Sequence, residues 1–78
     1  MKVLVTGSEG SLMQAVIPKL IANGHEVSGV DILVRYGERP GHAQNYTFFK
    51  GDLADSAYVE DLIYTVKPDY VIQAAAVS

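Results

Sequence analysis

The stretch VTGSEGSLM, residues 5–13, joins two segments of different hydrophobic period. Before it, Val3-Leu4-Val5 is a short continuous apolar run, the pattern of a strand buried on both faces in a parallel sheet. After it, Leu12, Val16, Leu20 and Met13, Ile17, Ile21 recur at helical spacing, which predicts a helix from Ser11 to a stop at Asn23-Gly24. Pro18 lies inside that helix and removes the bond to the carbonyl of Gln14, so a kink or local strain is expected there. A strand that ends in Gly-x-x-Gly and opens a helix aims several backbone N–H groups at one spot, and the helix dipole adds about half a positive charge. A pyrophosphate suits such a site: Gly7 permits the turn, and Gly10 lets backbone approach a ligand with no Cβ in the way. A plain tight turn would use the same two glycines.

Working outward, Val27 to Leu33 (VSGVDIL) reads as a second strand and closes a β-α-β unit of about 30 residues. Asp31, 21 residues after Gly10, stands where an acidic side chain accepts from both ribose hydroxyls of an adenosine. The bland alternative for Asp31 is a strand-end residue that caps the following turn. Residues 34–45 (VRYGERPGHAQN) read as a loop, and Tyr46-Thr47-Phe48-Phe49 as a third strand. Asp55 or Ser56 can cap a second helix whose face is Val59, Leu62, Ile63 and Val66, and Pro68 ends it. Tyr70-Val71-Ile72 begins a fourth strand that runs into Ala74-Ala75-Ala76. With right-handed crossovers the spatial order becomes 3-2-1-4, half of a doubly wound, Rossmann-like α/β sheet with two main helices.

Composition agrees with one small globular domain. The 78 residues are 49 % apolar and carry a formal net charge of −3, with six basic residues spread along the chain. No basic stripe exists to displace counterions, so nucleic acid is not an expected partner. Cysteine is absent, which excludes a disulfide scaffold, a thiolate metal site and a cysteine nucleophile. No signal core and no run of ~18 apolar residues is visible, so no membrane partner and a cytoplasmic location are expected.

Four segments carry a family resemblance in order and at family-like spacing: VLVTGSEG (3–10), GHEVSGVD (24–31), GDLAD (51–55) and DYVIQAAA (69–76). Together they resemble the N-terminal cofactor half of the extended short-chain dehydrogenase/reductases, the NAD-dependent nucleotide-sugar epimerases and dehydratases above all. The resemblance implies NAD as cofactor, with Gly7 and Gly10 facing the pyrophosphate, Ser11 and Leu12 also among the cofactor-binding residues, and Asp31 on the adenosine ribose. It further implies that Asp52 and Leu53 flank the adenine and that Ala74 and Ala75 let the dinucleotide pass over the fourth strand. By the same resemblance, residues 1–78 are one truncated domain, inactive alone, and the catalytic Tyr-x-x-x-Lys pair and sugar-nucleotide domain lie beyond Ser78. The family's third glycine is Met13 here, its usual histidine is Gln73, and a common polar adenosine contact is Ile32. The edge near Tyr70 to Gln73 lacks a neighbouring strand, so a homodimer or larger self-association through it, or through an exchanged element, is expected. A free-standing nucleotide-binding or self-associating module without catalysis is the rival reading.

Several features look like chemistry without supporting it. Tyr46-Thr47-Phe48-Phe49-Lys50 spells Tyr-x-x-x-Lys, but on a strand positions four apart are separated by about 13 Å, so the pair cannot act together. His25 and His42 have no second ligand at metal spacing and read as surface residues. Arg35 and Arg39 can meet a 2′-phosphate, but Asp31 repels one, which favours NAD over NADP.

Overall fold

A computed structural model describes residues 1–39 and 44–75. The strands are β1 (Lys2–Thr6), β2 (Glu26–Asp31), β3 (Tyr46–Lys50) and β4 (Tyr70–Gln73), with α1 (Met13–Ala22) after β1 and α2 (Ser56–Val66) after β3. All three strand pairings are parallel, and the order across the sheet is β3-β2-β1-β4, as the crossover rule predicts. Thr6 is level with Val30 on one side and Gln73 on the other, and Asp31 is level with Lys50. Parallel strands in register end together, so the segments leaving all four strands are gathered on one edge of the sheet.

Alternation along β1 divides the core. Val3 and Val5 face α1 and pack with Met13, Ile17, Ile21, Val27 and Tyr46, whereas Leu4 faces α2 and packs with Val30, Leu62 and Val66. Met13 is 5 % exposed, so the side chain standing at the third glycine position belongs to the core. Of the two helical rows, Met13-Ile17-Ile21 is the buried one, and Leu12 at the head of the other is exposed.

The structure differs from the sequence expectation in four places. α1 starts at Met13 and not Ser11, because the first bonds are tight i→i−3 contacts (Met13 N–H to Gly10 O, Gln14 N–H to Ser11 O). β2 stops at Asp31 and not Leu33, because the Asp31 Oδ1 accepts from the Leu33 N–H at 3.2 Å and turns the chain out of the ladder. α1 also runs unbroken through Pro18, so the expected kink does not interrupt it. β4 stops at Gln73 and does not run on into Ala74 and Ala75, because its ladder partner β1 ends at Thr6, level with Gln73. Gly24 takes φ +88° after α1, Asp55 caps α2 by accepting from the Tyr58 N–H at 3.2 Å, and α2 ends two residues before Pro68. The expectations for Pro40, Gly41, His42, Ala76 and Ser78 lie outside the described residues.

Candidate functional site

Nine residues were singled out by sequence, and the parallel sheet brings all nine to its carboxyl edge. Gly7, Gly10, Ser11 and Leu12 leave β1, Asp31 ends β2, Asp52 and Leu53 follow β3, and Ala74 and Ala75 follow β4. Backbone bonds tie these exits together. Gly7 N–H donates to Val30 O at 2.9 Å, Gly51 N–H to Asp31 O at 3.0 Å, and Ala74 N–H to Thr6 O at 3.0 Å.

The β1–α1 loop has largely satisfied its own donors. Gly7 and Ser8 N–H both reach Val30 O, Glu9 N–H reaches the Asp31 Oδ2 at 3.0 Å, and Gly10 N–H reaches Gly7 O at 3.1 Å. Ser11 and Leu12 are the exception, since no acceptor for either N–H is found among the described residues. Both residues are exposed, and so is Gly10 beside them. A side chain at Gly10 would touch only Gly7 O, at 3.3 Å, so the protein's own packing does not require a glycine there. Two free consecutive N–H groups at a helix start, next to a bare Cα, form the part of the loop that can accept an anion.

Asp31 fills the turn-capping role expected as one of its two readings and keeps acceptor capacity for the other. One oxygen holds the Leu33 N–H and the other the Glu9 N–H, so it does cap the turn. Each carboxylate oxygen has a second acceptor site, and the residue is only half-buried, so two further donors can be received. Asp52 is exposed and accepts from the Ala54 N–H at 2.9 Å, while Leu53 packs against the α2 side of the core. Tyr46 is 2 % exposed and Lys50 is exposed at the far end of the same strand, which rules out a cooperating Tyr-x-x-x-Lys pair. His25, expected at the surface, is half-buried, and its Nδ1 has no partner among the described residues.

Four contributors were not foreseen. The Gln14 Nε2 donates to Ser8 O at 3.0 Å and Gly10 O at 2.9 Å, bracing the loop from the first turn of α1. The Arg39 Nη2 donates to Gln14 Oε1 at 2.6 Å, and its guanidinium lies 5.0 Å from the centre of the Tyr46 ring. Arg39 is therefore engaged below the loop and is not poised for a 2′-phosphate. Glu9, 3 % exposed, sends its Oε1 to the N–H groups of Arg35 (2.8 Å), Tyr36 (2.8 Å) and Gly37 (2.6 Å). Ser8 is fully buried against the bare face of Gly29, where the Tyr46 hydroxyl also lies. A glutamine four residues past a loop glycine was a readable signal for the brace, whereas the other contacts depend on an irregular loop.

A cleft of about 160 Å³ between α2 and the sheet, lined by Lys2, Glu26, Ser28, Phe49, Thr65 and Val66, shares no residue with this cluster. Ligands of open parallel α/β sheets bind outside the carboxyl ends of the strands, so the carboxyl edge remains the better candidate.

Comparison with known proteins identifies the family. The sequence profile of the NAD dependent epimerase/dehydratase family matches residues 3–78. A probable dTDP-glucose 4,6-dehydratase from Sinorhizobium fredii is 35 % identical over 83 residues, covering 100 % of this chain and 24 % of its own length. A formate-dependent phosphoribosylglycinamide formyltransferase from Corynebacterium efficiens is 37 % identical over 71 residues, 91 % of this chain and 17 % of that protein. Among solved structures, the UDP-glucose 4-epimerase of Thermus thermophilus in complex with NAD superposes with a TM-score of 0.81 at 35 % identity, covering 100 % of this chain and 25 % of that one. The chain thus spans a quarter or less of the length of these relatives.

Proposed function

The chain belongs to the NAD-dependent epimerase/dehydratase family, and from that premise we propose that residues 1–78 are the NAD-binding N-terminal part of a nucleotide-sugar epimerase or dehydratase, of the UDP- or dTDP-sugar class. The observation that carries this reading is the pair of unpartnered N–H groups at Ser11 and Leu12 beside the bare Gly10, with the Asp31 carboxylate on the neighbouring strand end. The site fits a dinucleotide: Ser11 and Leu12 would hold the pyrophosphate, Asp31 the adenosine ribose, and Asp52 and Leu53 the adenine side. Gly7, Ala74 and Ala75 would keep the passage over β1 and β4 narrow in backbone and free of bulk. When bound, NAD supplies a hydride acceptor; this chain's own part is to bind and orient it. Asp31, together with an Arg39 already engaged elsewhere, favours a cofactor without a 2′-phosphate.

Catalysis is not assigned to these residues, since proton transfer needs a positioned group within reach of a substrate and Tyr46 is buried in the core. The chain alone is accordingly read as turning over no sugar, with a cytoplasmic location part of the same proposal. Among the described residues, no helix is long and apolar enough to cross a membrane.

Asp31→Asn tests the reading. It keeps one acceptor for the turn but loses the charge, and AMP affinity should fall about tenfold, the worth of a charge-assisted hydrogen bond. Isothermal titration with AMP checks it, and an unchanged affinity would reduce Asp31 to a turn residue.

One observation favours a second reading, a nucleotide-binding or self-associating module without catalysis. β4 is an edge strand whose Tyr70 and Val71 are 60 % and 43 % exposed, and unpaired edges invite pairing. A second copy would cover it, as would a further strand of a longer chain.

A further inference from the structure

We propose that Glu9 is a positioning residue that docks the segment after β2 onto the β1–α1 loop and so shapes the adenosine end of the site; this rests on the cofactor reading above. Glu9 stands between the two loop glycines, yet its side chain turns away from solvent and into the neighbouring loop. Three successive N–H groups, those of Arg35, Tyr36 and Gly37, converge on its Oε1. Gly37 has φ +60°, the left-handed conformation that completes such an inward-facing anion nest. The Glu9 N–H is meanwhile bound by Asp31, so the same residue grips β2's end through its backbone and the following loop through its side chain.

The other carboxylate oxygen, Oε2, is buried without a partner among the described residues. An unsatisfied buried carboxylate oxygen is costly, so Glu9 is a poor choice for a residue whose only task is to fill a turn. What it secures is the chain from Ile32 to Tyr36, whose apolar side chains Ile32, Leu33, Val34 and Tyr36 are all more than half exposed. These exposed side chains follow Asp31 directly where the chain leaves β2 at the carboxyl edge, and in this proposal they form a lip there. Held in place by Glu9, the lip is a pre-formed wall for adenosine; released, it must be ordered each time a ligand binds, which weakens binding without removing any direct contact.

The test compares a ligand that needs the lip with one that does not. AMP and inorganic pyrophosphate are titrated into the wild-type chain, Glu9→Ala, Glu9→Gln and Gly37→Ala, and amide hydrogen exchange is followed at Arg35, Tyr36 and Gly37. In Glu9→Ala those amides should exchange at least about tenfold faster and AMP should bind about tenfold more weakly, while pyrophosphate changes less than about twofold. Glu9→Gln retains an amide oxygen for the nest and should restore AMP binding to within about threefold of wild type. Gly37→Ala attacks the nest from the other side, leaves the core untouched, and should reproduce the Glu9→Ala pattern even if that variant folds poorly. Equal losses for AMP and pyrophosphate, or unchanged AMP affinity alongside freely exchanging amides, would overturn the proposal. A wild-type chain that binds neither ligand would overturn the cofactor reading, and the role of Glu9 with it.

Discussion

Gly7→Ala should unfold the domain or lower its melting temperature by more than about 10 °C. Gly7 has φ +72°, a conformation that costs an L-residue about 1–2 kcal/mol. A Cβ there would also lie 2.6 Å from the Ala75 nitrogen and 2.8 Å from both the Ala74 carbonyl carbon and the Ala75 Cα. Those atoms are backbone, so no rotamer change relieves the overlap. The exit of β4 must move instead, at the expense of the Ala74 N–H to Thr6 O bond. Overpacking of this kind adds about 1–3 kcal/mol, and the sum of about 2–5 kcal/mol is a large part of a small domain's stability. For a chain of this size each kcal/mol shifts the midpoint by about 4–8 °C. Thermal melting followed by circular dichroism reads the effect directly. A midpoint within about 3 °C of wild type would mean that β4 does not leave the sheet over Gly7.

Gly10→Ala should behave in the opposite way, with stability changed by less than about 0.5 kcal/mol and ADP affinity reduced about tenfold or more. Gly10 is exposed, its φ is not in the left-handed region, and the new methyl would meet only Gly7 O at 3.3 Å. The fold therefore tolerates alanine. An approaching phosphate does not, because the methyl would stand beside the free N–H groups of Ser11 and Leu12 and keep the anion from closing on them. Melting curves with and without saturating ADP separate the two effects. A variant that keeps its ADP-induced shift would remove Gly10 from the site and leave the Gly-x-x-Gly stretch as turn geometry. The contrast between the two glycines is the physical content of the motif: the fold requires a bare Cα at position 7 and does not require one at position 10.

Much of this was legible in the sequence because it depends on period and chirality. The switch from a continuous apolar run at Val3–Val5 to the helical row Met13-Ile17-Ile21 fixed β1 and α1, and handed crossovers ordered the sheet. Once the strands are parallel, Asp31, Asp52 and Ala74 must share an edge with Gly10, whereas the candidate roles of Asp52 and Ala74 came from the family resemblance of GDLAD and DYVIQAAA. The alternative reading of Asp31 as a turn cap is what the hydrogen bonds show, and it leaves acceptor capacity for the proposed ligand role. Glu9 was missed for a different reason. Its partners are backbone N–H groups of an irregular segment, and no side-chain pattern announces where Arg35, Tyr36 and Gly37 will point. The Ser8-Gly29-Tyr46 contact was equally hidden, since it needs the strand register and the loop path together. Met13 reads as a departure at the level of the motif and as ordinary core at the level of packing, because the side chain that replaces glycine fills space between α1 and β1.

The central claim is that the carboxyl edge of this sheet binds a dinucleotide through its adenosine diphosphate half. Titrating ADP into the 15N-labelled chain and mapping amide shifts tests it most directly. The account predicts saturable shifts centred on Gly10, Ser11, Leu12, Asp31, Asp52 and Leu53, with the amides around Lys2, Glu26 and Thr65 unmoved. Shifts confined to the cleft lined by Lys2, Glu26, Ser28 and Thr65, or none at all with ADP at about 10 mM, a concentration that would detect even millimolar affinity, would contradict it.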